Sequence, residues 1–179
     1  MNLLIYGVGS KMHIIQYFLK KMVYEYNHSV LIRGYHSGLM PKTILLHIEK
    51  FIKDVVLKKP NLHQKWGSTG QLVEFIKRVL NDKDLLKNRE PPVDPLIIVI
   101  HSMDVGVLKG QEWQEMLGEL STCELIRFVV SVDNIKSGVL FTDQLLDQFN
   151  FACVQLDTFE GFVHELEWQP DTYSAKNDN

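Results

Sequence analysis

The stretch "LLIYGVGSK", residues 3–11, ends an apolar run in glycines, a serine and a lysine. These are the residue types that hold phosphate after a buried strand. A working phosphate loop reads GxxxxGK[ST]: its glycines let backbone N–H groups surround the phosphates, its lysine neutralises charge, and its last hydroxyl holds Mg²⁺. Registered on Lys11, the first glycine position holds Ile5, the second holds Ser10, and the hydroxyl position holds Met12. Only the lysine survives. Read as a dinucleotide GxGxxG, Gly7 and Gly9 fit, but the third glycine is again Met12. Gly7, Gly9, Ser10 and Lys11 therefore form a degenerate phosphate loop, expected to be a glycine turn with a solvated lysine and no nucleotide cofactor.

An ATPase also needs carboxylates just after a buried strand, to hold Mg²⁺ and polarise the attacking water. "LIIVI" at 96–100 is followed by His101, Ser102 and Met103, and only then by Asp104. Histidine is a poor ligand for a hard cation that prefers oxygen. His101 and Asp104 thus make a degenerate acidic strand end, with Asp104 expected to cap the turn "DVGVLKG". "FVVSVDN" offers Ser131, Asp133 and Asn134, of which the asparagine could sense a terminal phosphate, though Asn and Asp after a strand are also ordinary turn formers. Other chemistries find less support. There is no GxSxG nucleophile elbow. In "HELEW", from His164, a tryptophan stands where the second histidine of a zinc HExxH would be. Most of the histidines are expected at the surface or singly hydrogen-bonded, and no metal is expected. Cys123 and Cys153 lack a CxxC partner and are expected as buried thiols in a reducing compartment. Trp66 and Trp113 are read as packing residues.

The elements that must position these groups alternate along the chain. Strands are expected at 3–6, 29–32, 96–100, 126–132 and 151–156. The run "LIIVI" has no polar alternation, as in a strand buried on both faces. Between the strands, apolar residues recur at three- and four-residue spacing. Ile14, Ile15, Phe18 and Leu19 mark a first helix with Ser10 as its cap; Ile44, Leu45, Ile48, Phe51 and Ile52 mark a second that opens at Pro41. Leu72, Phe75, Ile76, Val79 and Leu80 mark a third, and further helices are expected at 111–120 and 142–149. Five strands with helical crossovers give a three-layer α/β fold: a mostly parallel five-stranded sheet with helices on both faces. Residues 1–168 are expected to form one core domain, and 169–179 a flexible tail.

Composition agrees with this assignment. The chain has 179 residues, enough for one domain with a substantial core. It is 45% hydrophobic and 23% charged, and no apolar run reaches the roughly 20 residues that span a bilayer. No membrane partner is expected. No signal-peptide pattern precedes the first strand, so the expected setting is intracellular. A net charge of −3 supplies no global basic field, so any nucleic-acid contact must come from a local patch or from partner chains.

Taken in order, "LLIYGVGSK", "VLIRGYHSG", "IIVIHSMDVGVLKG", "ELIRFVVSVDNI" and "FNFACVQLDTFEGFVHE" resemble the origin recognition complex subunit 2 family across residues 2–166. The pairing of YGxGSK with an IH-x-x-D segment is the more specific part. Three positions depart from the family pattern: Ser102 where asparagine is usual, Asn134 where histidine is usual, and Phe162 where tyrosine is common. The family continues into a C-terminal winged-helix domain, for which nothing after residue 169 suffices. The chain is therefore expected to be the AAA+-like (RecA-type) core of a longer protein.

The resemblance implies P-loop NTPase (AAA+-like) topology with a lost nucleotide site, and a non-enzymatic subunit of a nuclear assembly. Its implied partners are other origin recognition complex subunits, especially subunit 3, origin DNA within the complex, and the machinery that loads the replicative helicase. It also points to the loop after the second strand as DNA-proximal, where Arg33, Tyr35, His36 and Lys42 supply charge and an aromatic face, the other reading of these residues being a solvated loop with a packed tyrosine. Two other readings are an active P-loop-type ATPase or kinase with an unusual loop, which requires ATP and Mg²⁺ binding that Lys11→Ala removes, and a module that binds DNA alone.

Overall fold

The computed structural model describes residues 1–23, 28–36, 38–61, 65–87, 93–133 and 141–167. Asn134 and the tail from Gln169, both discussed above, lie outside the described residues.

Five strands form one sheet: β1 (Asn2–Tyr6), β2 (Ser29–Arg33), β3 (Leu96–His101), β4 (Ile126–Val132) and β5 (Phe151–Gln155). All four pairings are parallel, in the order β2-β3-β4-β1-β5. The connections carry α1 (Met12–Phe18), α2 (Pro41–Phe51), α3 (Thr69–Leu80), α4 (Lys83–Lys87), α5 (Gln111–Ser121) and α6 (Asp143–Phe149), and α7 (Val163–Glu167) follows β5. α1 and α2 each run on into a π-helical turn, Leu19–Val23 and Ile52–Val56. The chain leaves β1 for the far edge at β2, then steps back through β3 and β4 and past β1 to β5. Because parallel crossovers are right-handed, the one step outward and the steps back put their helices on opposite faces.

The core divides accordingly. On one face Ile44, Ile48, Leu72, Ile76, Leu117 and Leu145 pack on Ile98, Ile100, Phe128 and Val130. On the other, Ile15 and Leu19 cover Ile5, Val99 and Val129. Each fully buried side chain of this size contributes about 1.5–3 kcal/mol by leaving water. The "LIIVI" run is buried on both faces because β3 lies inside the sheet, with residues of opposite parity in the two clusters.

Side chains fix the ends. Asn2 donates to the Phe149 carbonyl and accepts from Phe128 N–H, tying the start of β1 to α6 and β4. Ser68 and Thr142 cap α3 and α6 through their hydroxyls. Trp66 packs on Phe75, with ring centroids 4.9 Å apart, and donates its indole N–H to Glu49, so it is the packing residue expected. Ser10 accepts the Met12 N–H at the start of α1, at 3.4 Å, as the sequence leads one to expect of a capping serine. One expectation fails here: Cys123 is buried, but Cys153 is exposed. β5 is an edge strand whose last three residues all face solvent, a position its own apolar sequence does not reveal.

Candidate functional site: a closed phosphate loop

In open α/β sheets ligands bind beyond the carboxyl ends of the strands, where the strand order reverses. Here that is beside β1, and the loop of residues 7–11 stands there. Gly7 and Gly9 hold φ of +137° and +93°, values that side chains rarely adopt. The glycine turn is therefore real, but the lysine after it is not solvated. Lys11 is 0% exposed. Its Nζ donates to the Gly7 carbonyl at 2.9 Å, the Gly9 carbonyl at 2.9 Å and Asp133 Oδ1 at 2.7 Å. An ammonium has three donors, so none remains for a phosphate.

The backbone of the loop is also occupied. Residues 156–160, which leave β5, lie against it. Val8 N–H donates to Asp157 Oδ1 at 2.8 Å, and Ser10 N–H donates to the Glu160 carbonyl at 3.0 Å. In return Thr158 and Phe159 N–H groups donate to the Val8 carbonyl, and the Thr158 hydroxyl donates to the Ser10 carbonyl. A Cβ on Gly7 would stand 2.6 Å from Asp157 Oδ1, and one on Gly9 would stand 2.5 Å from Thr158 Oγ1. An Asp157 carboxylate thus takes a loop N–H of the kind that would meet a phosphate oxygen. The Val8 N–H, then Gln155, hold the Asp157 carboxyl below its ordinary range.

A second polar cluster closes the site from beneath. Ser10 donates its hydroxyl to Glu165 of α7, and also accepts from Met12 N–H at 3.4 Å. The same Glu165 oxygen meets His101 Nε2 at 2.9 Å, and His101 Nδ1 meets the Ser131 hydroxyl at 2.7 Å. Ser131 also accepts from Ser102 N–H. A neutral ring protonated at Nε2 satisfies all of these: it donates to the carboxylate and accepts from the Ser131 hydroxyl, whose oxygen takes the Ser102 N–H. Burial works against charge on Glu165, but the hydrogen bonds from Ser10 and His101 outweigh it and hold the carboxyl below its ordinary range. His101 is thus buried and doubly bonded, an exception to the surface or singly bonded setting expected of most histidines here.

The acidic strand end is spent on the fold as well. The Asp104 carboxylate accepts Asp133 N–H at 3.2–3.3 Å, tying the end of β3 to the end of β4. Asp133 pairs with Lys11 through one oxygen and accepts the Ser102 hydroxyl on the other, at 2.5 Å. Ser102 sits at φ +58°, a costly conformation for serine that its two hydrogen bonds hold in place. Among the described residues, no three His, Cys, Asp or Glu side chains are placed to hold a metal ion.

The loop after β2 splits. Tyr35 is buried and meets His101 edge to face at 5.6 Å, so its aromatic face is not open to a base; burial also pushes its phenol pKa up. His36 Nδ1 accepts from Gly38 N–H, and Lys42 is exposed on the first turn of α2. The sequence reading gave no role to Asp157, Thr158, Glu160 or Glu165. Their one signal was an acidic, threonine-containing stretch following the fifth strand, the end of the sheet where the loop also lies.

The origin recognition complex subunit 2 RecA-like domain model matches residues 1–156. The chain belongs to that family. The human origin recognition complex subunit 2 is 23% identical over 168 residues, covering 94% of this chain and 26% of the relative. The subunit of indica rice is 24% identical over 174 residues, covering 94% of this chain and 45% of the relative. The chain thus spans less than half the length of these relatives. Among solved structures, a chain of the Drosophila origin recognition complex bound to DNA shares the fold, with a TM-score of 0.74 at 20% identity over 93% of this chain and 86% of that one. The five-stranded parallel sheet with helices on both faces is therefore the RecA-like fold of this family.

Proposed function

We propose that residues 1–168 are the non-catalytic AAA+-like core of an origin recognition complex subunit 2, acting as a scaffold within a nuclear assembly on replication origin DNA. The observation that carries the non-catalytic part is Lys11: all three of its donors are used inside the chain, while Asp157 and the Glu160 carbonyl take loop N–H groups. Catalysis of phosphoryl transfer is positioning plus charge stabilisation, so a loop with its cation and donors already engaged has little to offer a nucleotide. The family membership supports the rest of the reading: contacts with other subunits, subunit 3 foremost, and support of helicase loading by the assembly. Arg33, His36 and Lys42 are the residues we place nearest DNA, with Tyr35 holding that loop from inside.

Calorimetric titration of the purified chain with ATP and Mg²⁺ tests the central point. No saturable heat at millimolar nucleotide is expected. Micromolar binding abolished by Lys11→Ala would overturn the reading and restore an ATPase or kinase.

A further inference from the structure

On the face of the sheet away from α1, α3 and α5 diverge around a groove of about 770 Å³. Its floor is apolar, formed by Val73 of α3 and by the half-buried Trp113 and Met116 of α5. Gly70, without a side chain, leaves the first turn of α3 open to close approach by a backbone. Large flexible and aromatic residues of this kind are the ones that anchor protein contacts.

The rim has a definite sign. α5 contributes Glu112, Glu115 and Glu119, and α3 contributes Glu74 against Lys77 and Arg78. Lys77 is already paired with Glu119 at 3.1 Å, which leaves three carboxylates to one guanidinium. That pair is half exposed at both ends, so it opens at little cost. A net negative rim repels nucleic acid and anionic lipid. It suits a chain that brings both an apolar stripe and positive charge.

From this complementarity we propose that the α3–α5 groove is a docking site for a basic amphipathic helix of a partner protein. Such a helix lays residues at i, i+3, i+4 and i+7 on Val73, Trp113 and Met116, with Lys or Arg flanking the stripe beside Glu112 and Glu115. The groove lies between helices that cover the sheet, apart from the closed loop at the strand ends, and does not depend on how that loop is read.

The test uses the purified chain and two synthetic helix-forming peptides of about 18 residues with the same leucine stripe, one flanked by lysines and one by glutamates. Calorimetry should show one-to-one binding of the lysine peptide only, weakened several-fold between 50 and 200 mM salt. Met116→Lys should lower the affinity at least tenfold; because Met116 also packs on the core, circular dichroism at the titration temperature checks that the variant is folded. Glu112→Lys/Glu115→Lys should reverse the preference between the peptides. Equal binding of both peptides, binding of neither, or insensitivity to Met116→Lys would overturn the proposal. So would sedimentation showing that two copies of this chain occupy each other's groove.

Discussion

In a working phosphate loop the lysine waits in solvent for its ligand, and removing it does little to the empty protein. Lys11 makes the opposite prediction. In Lys11→Met the alkyl stem is roughly replaced, but Asp133 loses its cation and the Gly7 and Gly9 carbonyls lose a donor. Removing one partner of a buried ion pair costs about 3–5 kcal/mol. Asp133 keeps the Ser102 hydroxyl and is 12% exposed, which places the loss toward the lower end, about 3–4 kcal/mol. For a chain of this size that is a fall in melting temperature of roughly 6–16 °C. Urea unfolding followed by circular dichroism measures it, with the slope checked for constancy. Pairing the change with Asp133→Asn should return part of the loss, since the uncompensated carboxylate is then gone, and the double-mutant cycle should give a coupling of about 1–3 kcal/mol. A loss under about 1 kcal/mol in Lys11→Met, with no coupling to Asp133, would refute the account of a spent lysine.

Three further outcomes follow from the same geometry. Glu165 is held ionised below its ordinary range, so its stabilisation is complete above the unfolded carboxyl value of about 4.3 and is lost as pH falls from there through the lower folded value. Melting temperatures measured from pH 7 to pH 3 should therefore fall more steeply in the wild type than in Glu165→Gln, and parallel curves would sink this assignment. Gly9→Ala should cost about 1–3 kcal/mol from its left-handed backbone alone, and should speed limited proteolysis of residues 156–160 by forcing Thr158 away; unchanged cleavage would argue against their contact with the loop. Ellman's reagent should modify Cys153 quickly and Cys123 only on unfolding, because Cys123 is buried and burial raises its pKa; equal rates would refute the edge position of β5.

How much of this could be read from the chain depended on how local each cause was. The strands and long helices were legible because hydrophobic period is a local property: "LIIVI" reads as doubly buried, and the apolar stripe of α3 reads as one face. The loss of the phosphate motif was equally local, since it turns on the identities of Ile5, Ser10 and Met12. The fate of the surviving residues was not. Lys11 looks solvated beside "GVGS", yet its acid partner lies 122 residues on; Ser10 looks like a cap and does accept the Met12 N–H, but its hydroxyl also donates to Glu165, 155 residues away. α7 has only five residues, too few to show a period, so Glu165 could be noticed only as part of a failed zinc motif.

The same residues explain why the glycines, serine and lysine of this loop are needed where the nucleotide motif is incomplete. A phosphate loop without phosphate leaves N–H groups and, here, a buried cation that the fold must satisfy from elsewhere, because a buried donor left unpaired costs more than its bond gains. Here Asp133 takes the cation, while Asp157 and the Glu160 carbonyl take the Val8 and Ser10 N–H groups. Glu165 takes the serine hydroxyl and the histidine that stands at the acidic strand end. Glycine, serine and lysine are then held in place by the requirements of the fold. The "GVGSK" signature reports a joint that fastens β1, β4, β5 and α7 together, and in this chain its chemistry is that of an internal ion pair.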